Sequence, residues 1–226
     1  MRFKSGLLIG IFGLIVVSLG GWSFAIGISL LTYFALLELF RMAENTGIKP
    51  ATKTTLFSCV IIILSTYLEV NGIIGKEISN AILPISSIVI CTWLLFQPKS
   101  GKISDIATSI FGLFYLGLLP SYWIKLREIE YLLNSSEFNS TLFYNLEHFS
   151  GFKVTLITCL LIVSSDIGSY FIGKKYGKRS LSSISPGKTI EGLIGGICCS
   201  IITGITFASL FNWGNSILIG IFFGIL

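Results

Sequence analysis

Charge is scarce in this chain. Of 226 residues only 12% are Asp, Glu, Lys or Arg, against roughly 25% in a typical soluble domain. Hydrophobic residues make up 53% and the mean hydropathy is +0.85, which excludes a soluble globule. Histidine occurs once, at His148. The five cysteines, Cys59, Cys91, Cys159, Cys198 and Cys199, all sit in apolar runs without C-x-x-C spacing; a disulfide framework and a thiolate metal site are excluded, and the residues read as small hydrophobes. Segments of about ten alternating residues, the signature of a membrane β-barrel, are missing. So is a soluble basic face with elements that read bases, which excludes nucleic acid as a partner.

What is present is a series of long apolar runs. A bilayer core of about 30 Å takes about 20 helical residues to cross, and runs of that order fall at 6–19, 21–40, 54–69, 78–96, 103–124, 152–170 and 190–211, with an eighth beginning near 215. The fold class that follows is all-α: a polytopic helical membrane protein of about seven full transmembrane helices plus a truncated eighth, forming one integral membrane domain over 1–226. No charge lies between Lys4 and Glu38, so the first two runs are expected to form a hairpin folded at Gly20-Gly21. A signal peptide is the weaker reading of the first run, because no Ala-x-Ala-like site follows it. The last run reaches only Leu226, after roughly 17 Å of helix at 1.5 Å per residue, so a truncated chain is the expectation.

Basic residues set the topology. With the N-terminus inside, the cytoplasmic segments hold Arg2, Lys4, Arg41, Lys49, Lys53, Lys99, Lys102, Lys174, Lys175, Lys178, Arg179 and Lys188, twelve of the sixteen Lys and Arg. Lys76, Lys125, Arg127 and Lys153 remain outside, together with the acids Glu69, Glu77, Glu128, Glu130, Glu137 and Glu147. This bias agrees with the positive-inside rule and eight alternating spans, and it accounts for most of the net charge of +5. It also puts His148 in the outer loop at 125–151, away from any cytoplasmic site.

Chemistry concentrates in one stretch. Asp166 ends an otherwise uncharged helical run, and an acid inside a membrane segment is a functional candidate by default, since it costs about 2.5–3.5 kcal/mol at a helix centre. At helical spacing Asp166, Ser169, Tyr170 and Gly173 share a face; the plainer reading is a packing acid paired to a lysine. A basic loop is expected over 171–189, where Gly173 and Gly177 space the cations so that main-chain N–H groups can approach an anion; the plainer reading is a membrane anchor. Ser185-Pro186 reads as N-cap and first residue of the seventh helix, with Lys188 on its first turn and free N–H groups offered to an anion. Glu191 reads as a dipole-compatible residue or a hydrogen-bonding orienter. Gly187-Lys188-Thr189 is not a P-loop, because Ser182 stands where the motif needs glycine. Gly192 and Gly196 are expected to bring helices close, Glu38 to pair with Arg41, and Asp105 to serve a helix start.

Asp166-Ile-Gly-Ser-Tyr170, Gly173-Lys-Lys-Tyr-Gly177-Lys178 and Ser185-Pro-Gly-Lys-Thr-Ile-Glu-Gly192 resemble, in order and spacing, the cytoplasmic segment of the phosphatidate cytidylyltransferases (CDP-diacylglycerol synthases). Glu38-Leu-Phe-Arg41 and Gly47-Ile-Lys-Pro50 resemble that family's N-terminal region. The resemblance implies a nucleotidyltransferase of phospholipid biosynthesis that moves CMP from CTP to phosphatidate, releasing pyrophosphate, in a bacterial-type plasma membrane with its site facing the cytoplasm. It implies catalytic roles for Asp166 and Lys188, substrate binding by Lys174, Lys178, Arg179, Ser185 and Thr189, and a divalent metal, Mg2+, with Asp166 as one ligand. The family's main metal carboxylates would lie beyond Leu226, so residues 1–226 alone are expected to be inactive. A homodimer stays open. The alternatives are a CTP-dependent prenol or lipid kinase, and a transporter that uses Asp166 as an intramembrane ion site, although no second copy of the motif is present.

Overall fold

The computed structural model describes residues 2–97, 101–130, 150–182, 185 and 187–226, with side chains from residue 10 onward. Lys99, Pro186, Glu137, Glu147 and His148 lie outside the described residues. Helices are α1 (Arg2–Leu19), α2 (Gly21–Asn45), α3 (Thr52–Val70), α4 (Lys76–Leu95), α5 (Ile103–Gly112), α6 (Leu119–Arg127), α7 (Gly151–Tyr176), α8 (Ile190–Leu210) and α9 (Ser216–Ile225), with a π segment, Leu113–Leu118, joining α5 to α6. Six stretches among the described residues are long and apolar enough to cross a membrane: Gly21–Asn45, Thr52–Val70, Lys76–Leu95, Ile103–Arg127, Gly151–Tyr176 and Ile190–Leu210. Gly10–Leu19 and Ser216–Ile225 are shorter apolar helices. The protein is a polytopic helical membrane protein.

The chain divides into two units, residues 1–136 and 137–226. In the first, the hairpin expected at Gly20-Gly21 is present. Both glycines have positive φ, 63° and 52°, a backbone region that residues with a Cβ rarely enter. Arg127 fills the space beside Gly20 and donates from Nε to the Val17 carbonyl at 3.1 Å. At the same end Lys125 Nζ meets Glu69 Oε1 at 3.2 Å, and Trp22 packs on Tyr67. The core of this unit is built from Leu36 and Phe40 of α2, Cys59 and Ile62 of α3, Ile90 and Leu94 of α4, and Leu113. Pro120 stands on the first turn of α6. It has no N–H to return to the turn before it, and there the helix widens, with the Leu119 N–H reaching back five residues to Phe114 O as π geometry requires.

The opposite end of this unit is closed by Asp105. Its carboxylate is 2% exposed and accepts from the backbone N–H of Lys49 (2.9 Å), Lys102 (3.1 Å) and Gly101 (3.2 Å). Ser109, one turn on, accepts from the Ala51 N–H at 2.9 Å and donates to Asp105 O. The expected helix-start role therefore holds and extends further, because the same two side chains tie down the loop between α2 and α3. The expected Glu38–Arg41 pair is absent among the described residues; both side chains are exposed.

In the second unit α8 packs against both α7 and α9. Toward α9 the approach is backbone to backbone. A Cβ on Gly204 would meet the Gly220 carbonyl, and one on Gly224 would stand 2.5 Å from Ile201 Cα. Ser200 Oγ donates across this seam to Gly224 O.

Candidate functional site

The site is set by how α7 meets α8. Small residues line both faces: Ser165, Gly168, Ser169 and Gly173 on α7, and Gly192, Gly195, Gly196 and Cys199 on α8. A Cβ on Gly192 would stand 2.9 Å from Ser169 O, one on Gly196 3.0 Å from Ser165 O, and one on Gly168 2.6 Å from Cys199 Sγ. The Gly192 and Gly196 pair thus packs helices together, as the spacing predicted, by letting the two backbones touch.

This seam splits the face expected to carry Asp166, Ser169, Tyr170 and Gly173. Ser169 and Gly173 turn into the seam, whereas Asp166 and Tyr170 are exposed on the chain. Asp166 makes no ion pair among the described residues, so the packing acid paired to a lysine is not what is seen. Its backbone carbonyl accepts from Ser169 Oγ at 3.0 Å.

The basic stretch ends at Thr189 as expected but differs in where it begins and in which residue caps the helix after it. Helix α7 continues to Tyr176, so the loop expected over 171–189 starts at Gly177, and Lys174 and Lys175 are helical. Their ammonium groups lie over the rings of Tyr170 (5.7 Å) and Tyr176 (5.2 Å). Gly173 and Gly177 do not open the backbone to an anion. A Cβ on Gly173 would stand 3.0 Å from Thr189 Oγ1, and one on Gly177 2.7 Å from Thr189 Cγ2. These glycines make room for the start of α8, and the Gly177 N–H is itself spent on Gly173 O.

Thr189, not Ser185, caps α8. Its side chain accepts from the Gly192 N–H at 3.2 Å, and its backbone is extended (φ −117°, ψ 152°), as an N-cap requires. Ser185-Pro186 reads as a helix start by composition, yet four residues farther on the seam holds Thr189 against Gly173 and Gly177, and the helix begins there. Lys188 consequently precedes the cap and is exposed. Ser185 lies in the loop, its N–H donating to Ser182 Oγ at 3.2 Å and its carbonyl accepting from the Lys188 N–H at 3.1 Å.

The loop closes on itself. Ser180 and Thr189 form an antiparallel bridge, through Leu181 N–H to Lys188 O at 2.7 Å and Ile190 N–H to Arg179 O at 3.0 Å. Glu191 Oε2 then accepts from the N–H groups of Lys178 (3.1 Å) and Arg179 (3.3 Å). The sequence offered two readings of Glu191, and the hydrogen-bonding one is observed. The amides expected to reach an anion are held by a carboxylate of the chain itself.

Lys174, Lys175, Lys178, Arg179 and Lys188 are all exposed. The bridge and the Glu191 contacts hold the last three on one closed loop beside the end of α7. Chemically this is a cationic surface on which Lys178 and Arg179 offer their side chains, their amides being held by Glu191. Among the described residues no group of three or more His, Cys, Asp or Glu could hold a metal ion. They do not form a metal centre by themselves.

The cytidylyltransferase family profile matches residues 1–226. The chain is 38% identical over 216 residues to a phosphatidate cytidylyltransferase of Synechocystis sp., covering 92% of this chain and 72% of that protein. It is 31% identical to the chloroplastic phosphatidate cytidylyltransferase 5 of Arabidopsis thaliana, across 100% of this chain and 58% of that protein. It is 28% identical to the phosphatidate cytidylyltransferase of Bacillus subtilis, with 91% and 70% covered. No solved structure matches. With a match that spans every residue of the chain, this membrane protein belongs to the cytidylyltransferase family, a family of nucleotidyltransferases.

Proposed function

We propose that the full-length protein catalyses CMP transfer from CTP to phosphatidate, giving CDP-diacylglycerol and pyrophosphate. Relatives that carry this activity in their names, up to 38% identical, support the reading. The observation that carries it is the closed basic loop at the end of α7, where exposed cations meet the end of a membrane helix. Phosphatidate stays in the bilayer and presents its phosphate at the surface, while CTP arrives from water. A site at a helix end serves both.

In the reaction an oxygen of the phosphatidate phosphate attacks the α-phosphorus of CTP. The new P–O bond forms as the bond to the bridging oxygen breaks, and that electron pair leaves with pyrophosphate. Charge on the triphosphate must be neutralised and the two phosphates held in line. Lys178, Arg179 and Lys188 are proposed to hold the nucleotide phosphates. Lys174, one turn back on α7, is proposed to meet the phosphate of the lipid. Thr189 supports the site through its cap, and Ser185 through the loop turn. Asp166 lies eight residues before Lys174, about 12 Å along the helix, and is proposed to act within the membrane part of the site. Mg2+ is proposed as the cofactor: Asp166 would supply one ligand, and the bound ion would neutralise charge on the triphosphate.

The site is proposed to face the cytoplasm, because twelve of sixteen basic residues lie in the segments assigned to that side and the positive-inside rule orients them so. The deciding experiment supplies labelled CTP and phosphatidate to the full-length protein in vesicles and follows the products. CDP-diacylglycerol with pyrophosphate is expected. CDP with a phosphorylated alcohol would mean γ-phosphate transfer and would overturn the reading.

A further inference from the structure

Lys178 and Arg179 follow α7 on residues outside any helix, yet their positions are fixed. Their two N–H groups converge on one oxygen, Glu191 Oε2, at 3.1 and 3.3 Å. Glu191 stands at the second position of α8, directly after the Thr189 cap and Ile190. An acid there commonly serves the helix dipole. Here it also reaches across to the chain that leaves the neighbouring helix.

We infer that Glu191 is a positioning residue for the nucleotide, acting through Lys178 and Arg179 to hold their side chains toward the CTP phosphates. The inference rests on the cytidylyltransferase reading. Three observations carry it. The contacts join residues 12 and 13 apart in sequence, so they fix the loop relative to α8 and are not local turn chemistry. N–H bonds to a carboxylate are about twice as strong as neutral ones, which suits a loop otherwise closed by the single Ser180–Thr189 bridge. The bonds also occupy the main-chain donors, so an arriving triphosphate meets the Lys178 and Arg179 side chains and not their amides. Lys174 and Lys175 belong to α7 itself and do not depend on this clamp. Loss of Glu191 should therefore fall on the nucleotide and spare the lipid.

The test uses the full-length protein in phospholipid vesicles, varying CTP and phosphatidate separately in E191A and E191Q. E191A is expected to raise KM for CTP about tenfold while leaving KM for phosphatidate within about twofold. In E191Q the side-chain amide oxygen still accepts both N–H bonds, and most of the wild-type KM for CTP should return. Hydrogen exchange at the amides of residues 178 and 179 should quicken in E191A and not in E191Q. An unchanged KM for CTP in E191A would overturn the inference. So would equal rises in both KM values that glutamine does not reverse, since that pattern marks a general structural role. If the wild-type protein makes no CDP-diacylglycerol, the functional reading itself falls; an active wild type with an indifferent E191A removes only the role of Glu191.

Discussion

Asp166 and Lys188 separate reactive from structural roles most clearly, because neither side chain makes an ion pair among the described residues. Both are exposed, so removing either charge should leave folding intact. In steady-state assays of the full-length protein, Asp166→Asn and Lys188→Ala are each expected to lower turnover at least tenfold, about 1.4 kcal/mol in the barrier. Unchanged melting of both variants is part of the expectation. Asp105 is the contrasting case. Its buried carboxylate accepts three backbone N–H groups, and Asp105→Ala would leave buried donors unpaired at about 1–3 kcal/mol each before any relaxation. Thermal unfolding should show a clear loss of stability in Asp105→Ala, with KM for CTP unchanged in whatever fraction remains folded.

At the scale of the elements, the α7–α8 seam makes the site, because it sets where α8 begins. Thr189 is wedged against Gly173 and Gly177 and caps the helix in the same place. Thr189→Ala should cost about 1 kcal/mol through the lost cap, and Thr189→Ser should retain most of it; a melting curve of the three proteins decides. Gly192→Leu tests the seam itself. A Cβ there already stands 2.9 Å from Ser169 O, so the helices must separate, at about 1–3 kcal/mol or more. The loop carrying Lys178, Arg179 and Lys188 would move with α8. A fall in melting temperature together with a weaker affinity for CTP is expected, whereas normal CTP affinity would show that the loop is positioned independently of the seam.

For the whole molecule, the distribution of basic residues makes a prediction about sides. In a background without the five native cysteines, Lys178→Cys should resist a membrane-impermeant thiol reagent applied outside, and Lys76→Cys should react; labelling of position 178 alone would invert the topology. In the first unit the polar contacts fall at two ends. Arg127 at the Gly20 turn and the Lys125–Glu69 pair lie toward one end, and Lys49, Lys102 and Asp105 at the other. That separation is what alternating spans require. The hydrophobic runs and the basic bias were enough to read the spans, most boundaries falling within a few residues of the observed helices, because a bilayer leaves a segment of about 20 apolar residues with few alternatives to a helix. The Gly20-Gly21 hairpin was legible for the same reason, since a charge-free run of that length must turn back on itself.

The types of residue at the site were legible as well: the cations and the lone acid stand in the sequence as chemistry out of place in a lipid-spanning chain, and Gly192 and Gly196 as a helix-packing pair. Their arrangement was not. Composition favoured Ser185-Pro186 as the start of α8, because it weighs local capping preference alone. The start at Thr189 is decided by contact with Gly173 and Gly177, residues more than ten positions away. The same non-local contact turned two glycines from anion-binding candidates into packing residues, and it left the Lys178 and Arg179 amides to Glu191. Sequence by itself determined the membrane class, the spans and which residues carry charge, since these follow from hydrophobicity and length along the chain. Tertiary structure decided which donors are free, because a backbone N–H is available to a ligand only when no carboxylate or carbonyl brought near by packing already accepts it.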